Sequence, residues 1–247
     1  MKAEKDIQTL NLWINESSMT VFFGGAGVST ESGLPDFRGA QGIGSQAVSF
    51  ESYLTLDFMN RHPDEFYDFY RTIFMKQGIR PNAAHYKLAE MEEKGRLASV
   101  ITQNVDGLHQ EAGSRAVLEL HGNGLTFYCQ DCKTFYPHEE IAQATGAFYC
   151  REKGCGGLVR PAIVLYGEAL HPHVLEEAVK AISQADLILV GGSSLTVYPA
   201  AGLIHYRKPG SRLVLVNLEP TSYDRTADLV LDQAIASFFS GLKIQGH

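Results

Sequence analysis

Val21-Phe22-Phe23-Gly24-Gly25-Ala26-Gly27-Val28-Ser29-Thr30-Glu31-Ser32-Gly33-Leu34-Pro35-Asp36-Phe37-Arg38-Gly39 is the stretch from which the fold of this 247-residue chain can be read. The aromatic and β-branched residues at 21–23 suit a short buried strand. Glycines directly after such a strand let the backbone turn tightly and approach a ligand. The residues that follow can open a helix, whose unpaired N–H groups and positive dipole end favour a phosphate. Leu34 to Arg38 stop that helix early and bring an aromatic ring and a guanidinium close to the same pocket. The stretch predicts a nucleotide loop with something reactive built onto its end.

Upstream, Ile7, Leu10, Leu12, Trp13 and Ile14 among polar residues predict an amphipathic helix over 2–16. Downstream, an acidic strand to hold a ribose is due about 20 residues past the glycines. Instead a polar loop at 41–46 leads to Phe58, Phe66, Phe69, Tyr70 and Phe74 at helical spacing, which reads as a helical insertion. A helix is expected over 82–94, and Leu97–Thr102 reads as a core strand running into Gln103-Asn104-Val105-Asp106. Ala116–Leu120 is a further strand, ending at His121-Gly122. A helix at 172–184 precedes the apolar run Asp186–Val190, which ends in Gly191-Gly192-Ser193-Ser194. Arg212–Val216 ends in Asn217, and a strand at 228–231 and a helix at 234–242 close the pattern. Continuous apolar runs of this kind belong to parallel strands covered on both faces, whose carboxyl ends carry the ligand site. The expected fold is α/β: a Rossmann-like parallel sheet with helices on both faces, a helical insertion and a small zinc-binding module.

Cys129-x2-Cys132 is followed after 17 residues by Cys150-x4-Cys155. Two close cysteine pairs supply the four thiolates of a tetrahedral zinc site; two disulfides are the other reading, and three cysteines with His138 a lesser one. A closed four-thiolate shell makes the metal structural. With hydrophobic residues at 45%, charged residues at 20% and a net charge of -7, a broad nucleic-acid surface is not indicated. No apolar run is long enough to span a membrane and the first residues do not resemble a signal peptide, so a cytoplasmic protein is expected. The sequence does not give the oligomeric state; a monomer is the working expectation.

The runs GAGVSTESGLPDFRG, QNVDGLH, HG after a strand, the paired cysteines, GSSLTVYPA and VNLEPT, in this order over nearly the whole chain, resemble the sirtuin family of NAD-dependent protein deacylases, most of all its compact bacterial type. The resemblance implies a Rossmann-like NAD-binding domain from 1–39, 84–124 and 158–247. The insertion 40–83 and the cysteine module 125–157 would form a small domain. It implies an enzyme that moves the acyl group of a modified lysine to ADP-ribose and releases nicotinamide, with NAD as co-substrate and zinc as structural metal. Gly25, Ala26, Gly27 and Thr30 would approach the pyrophosphate, Phe37 would cover the nicotinamide ribose, and Arg38 would bind phosphate or help order the loop. Gln103, Asn104, Val105 and Asp106 would line the nicotinamide pocket, with Asp106 accepting from the carboxamide and Asn104 holding water or ribose hydroxyls. Gly192, Ser193, Ser194 and Asn217 would hold the adenosine half, closed by Ala234 and Ile235. His121 would act as general base with Asn104 beside it, since imidazole titrates near working pH.

The acyl-lysine protein or peptide would add a strand between Val164, Tyr166, Gly167 and Glu168 on one side and the Ser194–Val197 segment on the other. Two departures from the family pattern matter. Tyr166 stands where Phe is usual before Gly-Glu, and the Tyr and Arg three apart that mark a preference for negatively charged acyl groups are absent, because Tyr67 is followed by Tyr70 and then Arg71. Succinyl and malonyl lysine are therefore disfavoured, while acetyl and longer apolar chains remain open; plain helix packing accounts for Tyr67 and Tyr70 equally well. Mono-ADP-ribosyl transfer, and a zinc-ribbon module using the nucleotide pocket as a sensor, are the alternatives.

Overall fold

The computed structural model describes residues 2–36 and 50–246. Phe37, Arg38 and the loop at 41–46 lie outside the described residues. In chain order the strands are β1 (Thr20–Gly24), β2 (Ser99–Thr102), β3 (Val117–Glu119), β4 (Gly122–Cys129), β5 (Phe135–Tyr136), β6 (Val159–Ile163), β7 (Leu187–Gly191), β8 (Arg212–Asn217) and β9 (Leu229–Asp232). The helices are α1 (Lys2–Glu16), α2 (Leu56–Arg61), α3 (Pro63–Phe74), α4 (Ala83–Glu93), α5 (Leu108–Glu111), α6 (His138–Gln143), α7 (Pro172–Gln184) and α8 (Ile235–Phe239).

Six strands form one sheet in the order β3-β2-β1-β7-β8-β9, and every pair in it is parallel. Alternation along the strands explains why the runs read as apolar throughout. Phe22, Val100, Leu189 and Val214 pack on one face with Leu10 and Ile14 of α1, Leu88 of α4 and Phe239 of α8. Val21, Phe23, Ile188 and Val190 pack on the other with Ala178 and Ile182 of α7 and with Leu203 and Ile204. The strand order reverses between β1 and β7, and their carboxyl ends open a crevice at that switch point.

A second sheet, antiparallel and ordered β5-β4-β6, shares a cluster with the helical insertion: Met59, Phe66, Tyr67, Tyr70, Phe127, Cys129, Cys150 and Val159. The sequence reading places everything from 158 onward in the nucleotide-binding part, and within that span β6 belongs to the small sheet and joins the two parts. β6 pairs with β4 from Cys129↔Val159 to Gly122↔Ile163, and Leu165 still packs in the small cluster. An apolar run of five residues carries no mark of which sheet it will join, because periodicity reports burial and not partner. Among the described residues no helix is long and apolar enough to cross a membrane.

Candidate active site

The glycine loop leaves β1 as two short 3-10 turns, Ala26–Val28 and Thr30–Ser32, rather than as one helix. Gly33, with φ of 92°, ends the second turn, and Pro35 follows. The Gly25 N–H donates to the Gly191 carbonyl at 3.2 Å and the Gly27 N–H to the Gly192 carbonyl at 2.8 Å. A Cβ on Gly27 would meet Gly192 Cα at 2.7 Å, and one on Gly192, whose φ is 57°, would meet Val28 N at 2.3 Å. These glycines therefore let two strand ends cross, and the Gly25 and Gly27 amides are engaged within the chain. Gly192→Ala should combine about 1–2 kcal/mol of left-handed strain with about 1–3 kcal/mol of overpacking. A fall of several degrees in the unfolding midpoint is expected, and an unchanged midpoint would contradict this packing.

Four of the strand ends converge on the crevice. Gln103, following β2, donates its backbone N–H to Gly24 O at 3.0 Å and its side-chain amide to Ser193 Oγ, beyond β7, at 2.9 Å. Its carbonyl lies 2.9 Å from His121 Nδ1. A carbonyl can only accept, so Nδ1 carries the proton and a neutral His121 keeps a lone pair on Nε2. Burial pushes the His121 pKa below its ordinary value, partly offset by that hydrogen bond. Val164 N–H donates to the His121 carbonyl at 2.8 Å, tying the residue to the segment that follows β6.

Asn104 is buried, and its Nδ2 donates to Ser29 Oγ at 3.1 Å. Ser29 Oγ donates in turn to Asp106 Oδ2 at 2.7 Å, while Asp106 Oδ1 accepts the Leu108 N–H at 3.0 Å. Both Asp106 oxygens thus have partners within the chain, and its first task is to hold Ser29 and the start of α5. Val105 accepts the Gly124 N–H through its carbonyl at 2.8 Å and packs against the small cluster. Thr30 Oγ1 donates to Gly27 O at 3.0 Å, which stiffens the loop.

Asn217, at the end of β8, accepts the Ser193 N–H at 2.9 Å through Oδ1, whereas its buried Nδ2 has no partner among the described residues. Such an orphan donor at a crevice rim is what a polar cofactor hydroxyl would satisfy. Ser194 Oγ and Thr196 Oγ1 are 2.8 Å apart on the same rim. Ala234 precedes α8, and the Ile235 Cδ1 sits 2.1 Å from where a Gly191 Cβ would be. Around this rim the chain therefore fits a dinucleotide.

Three residues that matter here escaped the sequence reading. Ser29 links Asn104 to Asp106, and His85 Nε2 stands 3.5 Å from the same hydroxyl. Glu31 accepts the Ala236 N–H at 2.8 Å and the Ser237 hydroxyl at 3.0 Å, capping α8 across the fold. Ser29 and Glu31 lie inside the quoted stretch, and an oxygen-bearing side chain just past a glycine loop is the signal that points to each.

The metal-ligating atoms of Cys129, Cys132, Cys150 and Cys155 all lie within 4.8 Å of one another. Four sulfurs so placed fit a zinc ion. His138 is not part of the group; its ring packs on Phe127 at 6.2 Å. On the peptide side, Tyr166 pairs with the chain itself: its N–H donates to Leu54 O and its carbonyl accepts from Leu56 N–H. Glu168 is held by Arg160, and the Val197 carbonyl accepts from Ala201 N–H. Of the expected pairing positions, the Val164 carbonyl and the Gly167 N–H and carbonyl have no backbone partner among the described residues. Tyr67 and Tyr70 are fully buried and donate to the Val159 and Gly124 carbonyls, so packing is their role. Arg71 donates to the carbonyls of Ile141 and Gly146, at 2.9 and 2.6 Å.

Residues 25–199 match the family model for the Sir2 family. The chain is 47% identical over 233 residues to an NAD-dependent protein deacetylase of Clostridium perfringens (strain 13 / Type A), covering 93% of this chain and 95% of that one. It is similar in structure to a Sir2 variant with a deacetylated p53 peptide and 3'-O-acetyl ADP ribose, at a TM-score of 0.89 and 41% identity, over 96% of both chains. A complex of Sir2 with p53 peptide and NAD+ is similar at a TM-score of 0.82 and 43% identity, over 94% of both chains.

Proposed function

The chain belongs to the Sir2 family, and from that premise we propose that it is an NAD-dependent protein lysine deacetylase, transferring the acetyl group to ADP-ribose and releasing nicotinamide. The observation that carries the reading is His121, whose Nδ1–H is fixed on the Gln103 carbonyl at the crevice where the dinucleotide would lie. NAD, when bound, supplies the ribose carbon from which nicotinamide leaves and the hydroxyls that receive the acyl group. His121 Nε2, neutral and aimed by its hydrogen bond, takes a proton from such a hydroxyl. Asn104, locked by Ser29, keeps its carbonyl oxygen for water or ribose. Gln103 and Ser193 close the floor; Asn217 and the backbone at Ala234 and Ile235 hold the adenosine side. Phe37 and Arg38 would complete the nicotinamide end.

We read residues 1–39, 84–124 and 158–247 as the nucleotide-binding part and the insertion with the cysteine module as the smaller part, with the β4–β6 ladder joining them. The substrate is an acyl-lysine peptide, entering at Val164 and Gly167 and bordered by Tyr166 and Val197. A monomer is the working reading, and two cysteine pairs gathered as a metal site rather than spent in disulfides suit a reducing cytoplasm. A net charge of -7 offers no general attraction to nucleic acid.

Acyl preference follows from the small domain. With Tyr67 and Tyr70 buried and Arg71 bound to two carbonyls, this helix presents no tyrosine–arginine pair to a carboxylate on the acyl chain. One peptide carrying acetyl, myristoyl or succinyl lysine, followed by mass spectrometry, tests this. Turnover of acetyl lysine to free lysine and O-acetyl-ADP-ribose is expected, with succinyl lysine at least about tenfold slower, the effect of one missing charge-assisted hydrogen bond. Preferred succinyl turnover would overturn the acyl assignment, and a stable mass gain on protein would indicate ADP-ribosyl transfer instead.

A further inference from the structure

Glu168 belongs to the run that resembles a peptide-binding edge, yet its carboxylate faces inward. Arg160, the second residue of β6 and 4% exposed, donates from Nη1 to Glu168 Oε1 and from Nη2 to Glu168 Oε2, both at 2.7 Å. The same guanidinium donates to the Ile163 carbonyl at 2.8 Å, and Glu168 Oε2 also accepts the Leu165 N–H at 2.9 Å. The Glu168 N–H returns to the Leu165 carbonyl at 3.0 Å. Five hydrogen bonds thus fold residues 163–168 over a charge pair whose guanidinium is buried and whose carboxylate is half-buried.

What that turn carries is the peptide side of the site. At its start Val164 holds the His121 carbonyl, and at its crest Tyr166 pairs on both sides of its backbone with Leu54 and Leu56. Gly167 follows with φ of 95°, and its amide has no partner among the described residues. A bidentate guanidinium–carboxylate pair fixes direction as well as distance, which a lysine in the same place would not do.

We propose that Arg160 is a positioning residue for the acyl-lysine peptide: through Glu168 it holds the 163–168 turn so that Val164 and Gly167 offer the substrate backbone groups that have no backbone partner among the described residues. Glu168 is then a brace and not a substrate contact. This rests on the deacetylase reading, and the site it concerns is the peptide edge, separate from the dinucleotide crevice.

The test is a cycle of Arg160→Met, Glu168→Gln and the double variant. Acetyl-peptide KM and kcat would be measured beside ADP-ribose affinity by calorimetry. Arg160→Met should raise peptide KM about tenfold or more, since small misplacements of a positioning edge are costly, with ADP-ribose affinity unchanged. The double variant should be no worse than the poorer single one, because the two side chains act as a unit. Should Arg160→Met fail to fold, Glu168→Gln decides: it keeps the Ile163 hydrogen bond and should still raise peptide KM about threefold, the loss of one charged hydrogen-bond partner being partly compensated. Peptide KM unmoved in folded variants, or ADP-ribose affinity falling in step with it, overturns the proposal while leaving the deacetylase reading in place. A wild-type protein that binds ADP-ribose but releases no nicotinamide with any acyl-peptide removes that reading, and the proposal with it.

Discussion

His121→Ala is expected to lower kcat for deacetylation by about 100- to 10,000-fold, the range a positioned general base contributes. ADP-ribose affinity should stay within about threefold, because no hydrogen bond of the adenosine rim passes through the imidazole. The pH profile supplies an independent check. Burial holds the His121 pKa below the ordinary value, which is about 6.5 for an unperturbed histidine. The neutral base therefore persists to lower pH, and the acid limb of kcat/KM should fall below that value. Two further histidines bear on how the limb is read. Burial pushes His85 down to about 4 and His109 to about 3, so the folded chain leaves both neutral where the unfolded chain protonates them. Stability is then lost as pH drops below the unfolded histidine value, since the unfolded state binds more protons there. The unfolding midpoint has to be followed alongside the rate, and a limb that tracks the midpoint is unfolding. A limb at or above the ordinary histidine value in folded enzyme, or His121→Ala with unchanged turnover, would remove His121 from its role.

The reach of the sequence was set by how local each signal is. Val21–Phe23 and Leu187–Val190 announce a parallel sheet because helices cover both faces, and every residue of a strand so placed is apolar. The cysteine spacing and His121 at a strand end are local as well. What stayed hidden depends on pairs far apart in the chain. Gly27 donates its N–H to the Gly192 carbonyl at 2.8 Å, and nothing in the neighbourhood of either names the other, so the crossing of the two loops is not visible in the local sequence. Ser29 joins Asn104 to Asp106 across 75 and 77 residues. β6 joins β4 rather than the large sheet because antiparallel partners are chosen by register and by the side chains beneath them, which a five-residue apolar run does not encode. The bond between Glu168 and Arg160 is hidden in the same way: Arg160 stands eight residues back in β6, and the turn between them decides where the pair faces.

Removing the metal should undo the small domain and the active site together, although only one of them holds cysteines. A closed thiolate shell contributes about 10–16 kcal/mol in isolated zinc-finger peptides. Here part of the small domain is also held by apolar packing of Phe66, Tyr67, Tyr70 and Phe127, so the loss should be smaller than that. Cys129 and Cys150 are themselves buried in this cluster, and without a cation four sulfurs are crowded within 4.8 Å of one another. β4 ends at Cys129 and begins at Gly122, directly after His121, and its partner β6 leads into Val164, which holds the His121 carbonyl. One ladder therefore joins a metal ligand to the base over eight residues. Cys129→Ala is expected to bind no zinc by elemental analysis, where the parent binds about one per chain, as a four-thiolate set does. Its unfolding midpoint should fall by about 6–12 °C, the response of a domain this size to a loss of about 3 kcal/mol. Deacetylation should fall below detection, while far-ultraviolet circular dichroism retains the signal of the six-stranded sheet and its helices, whose two cores share no residue with the small cluster. A chelated or substituted protein that is zinc-free and fully active would overturn both the structural metal and the ladder's role in placing His121.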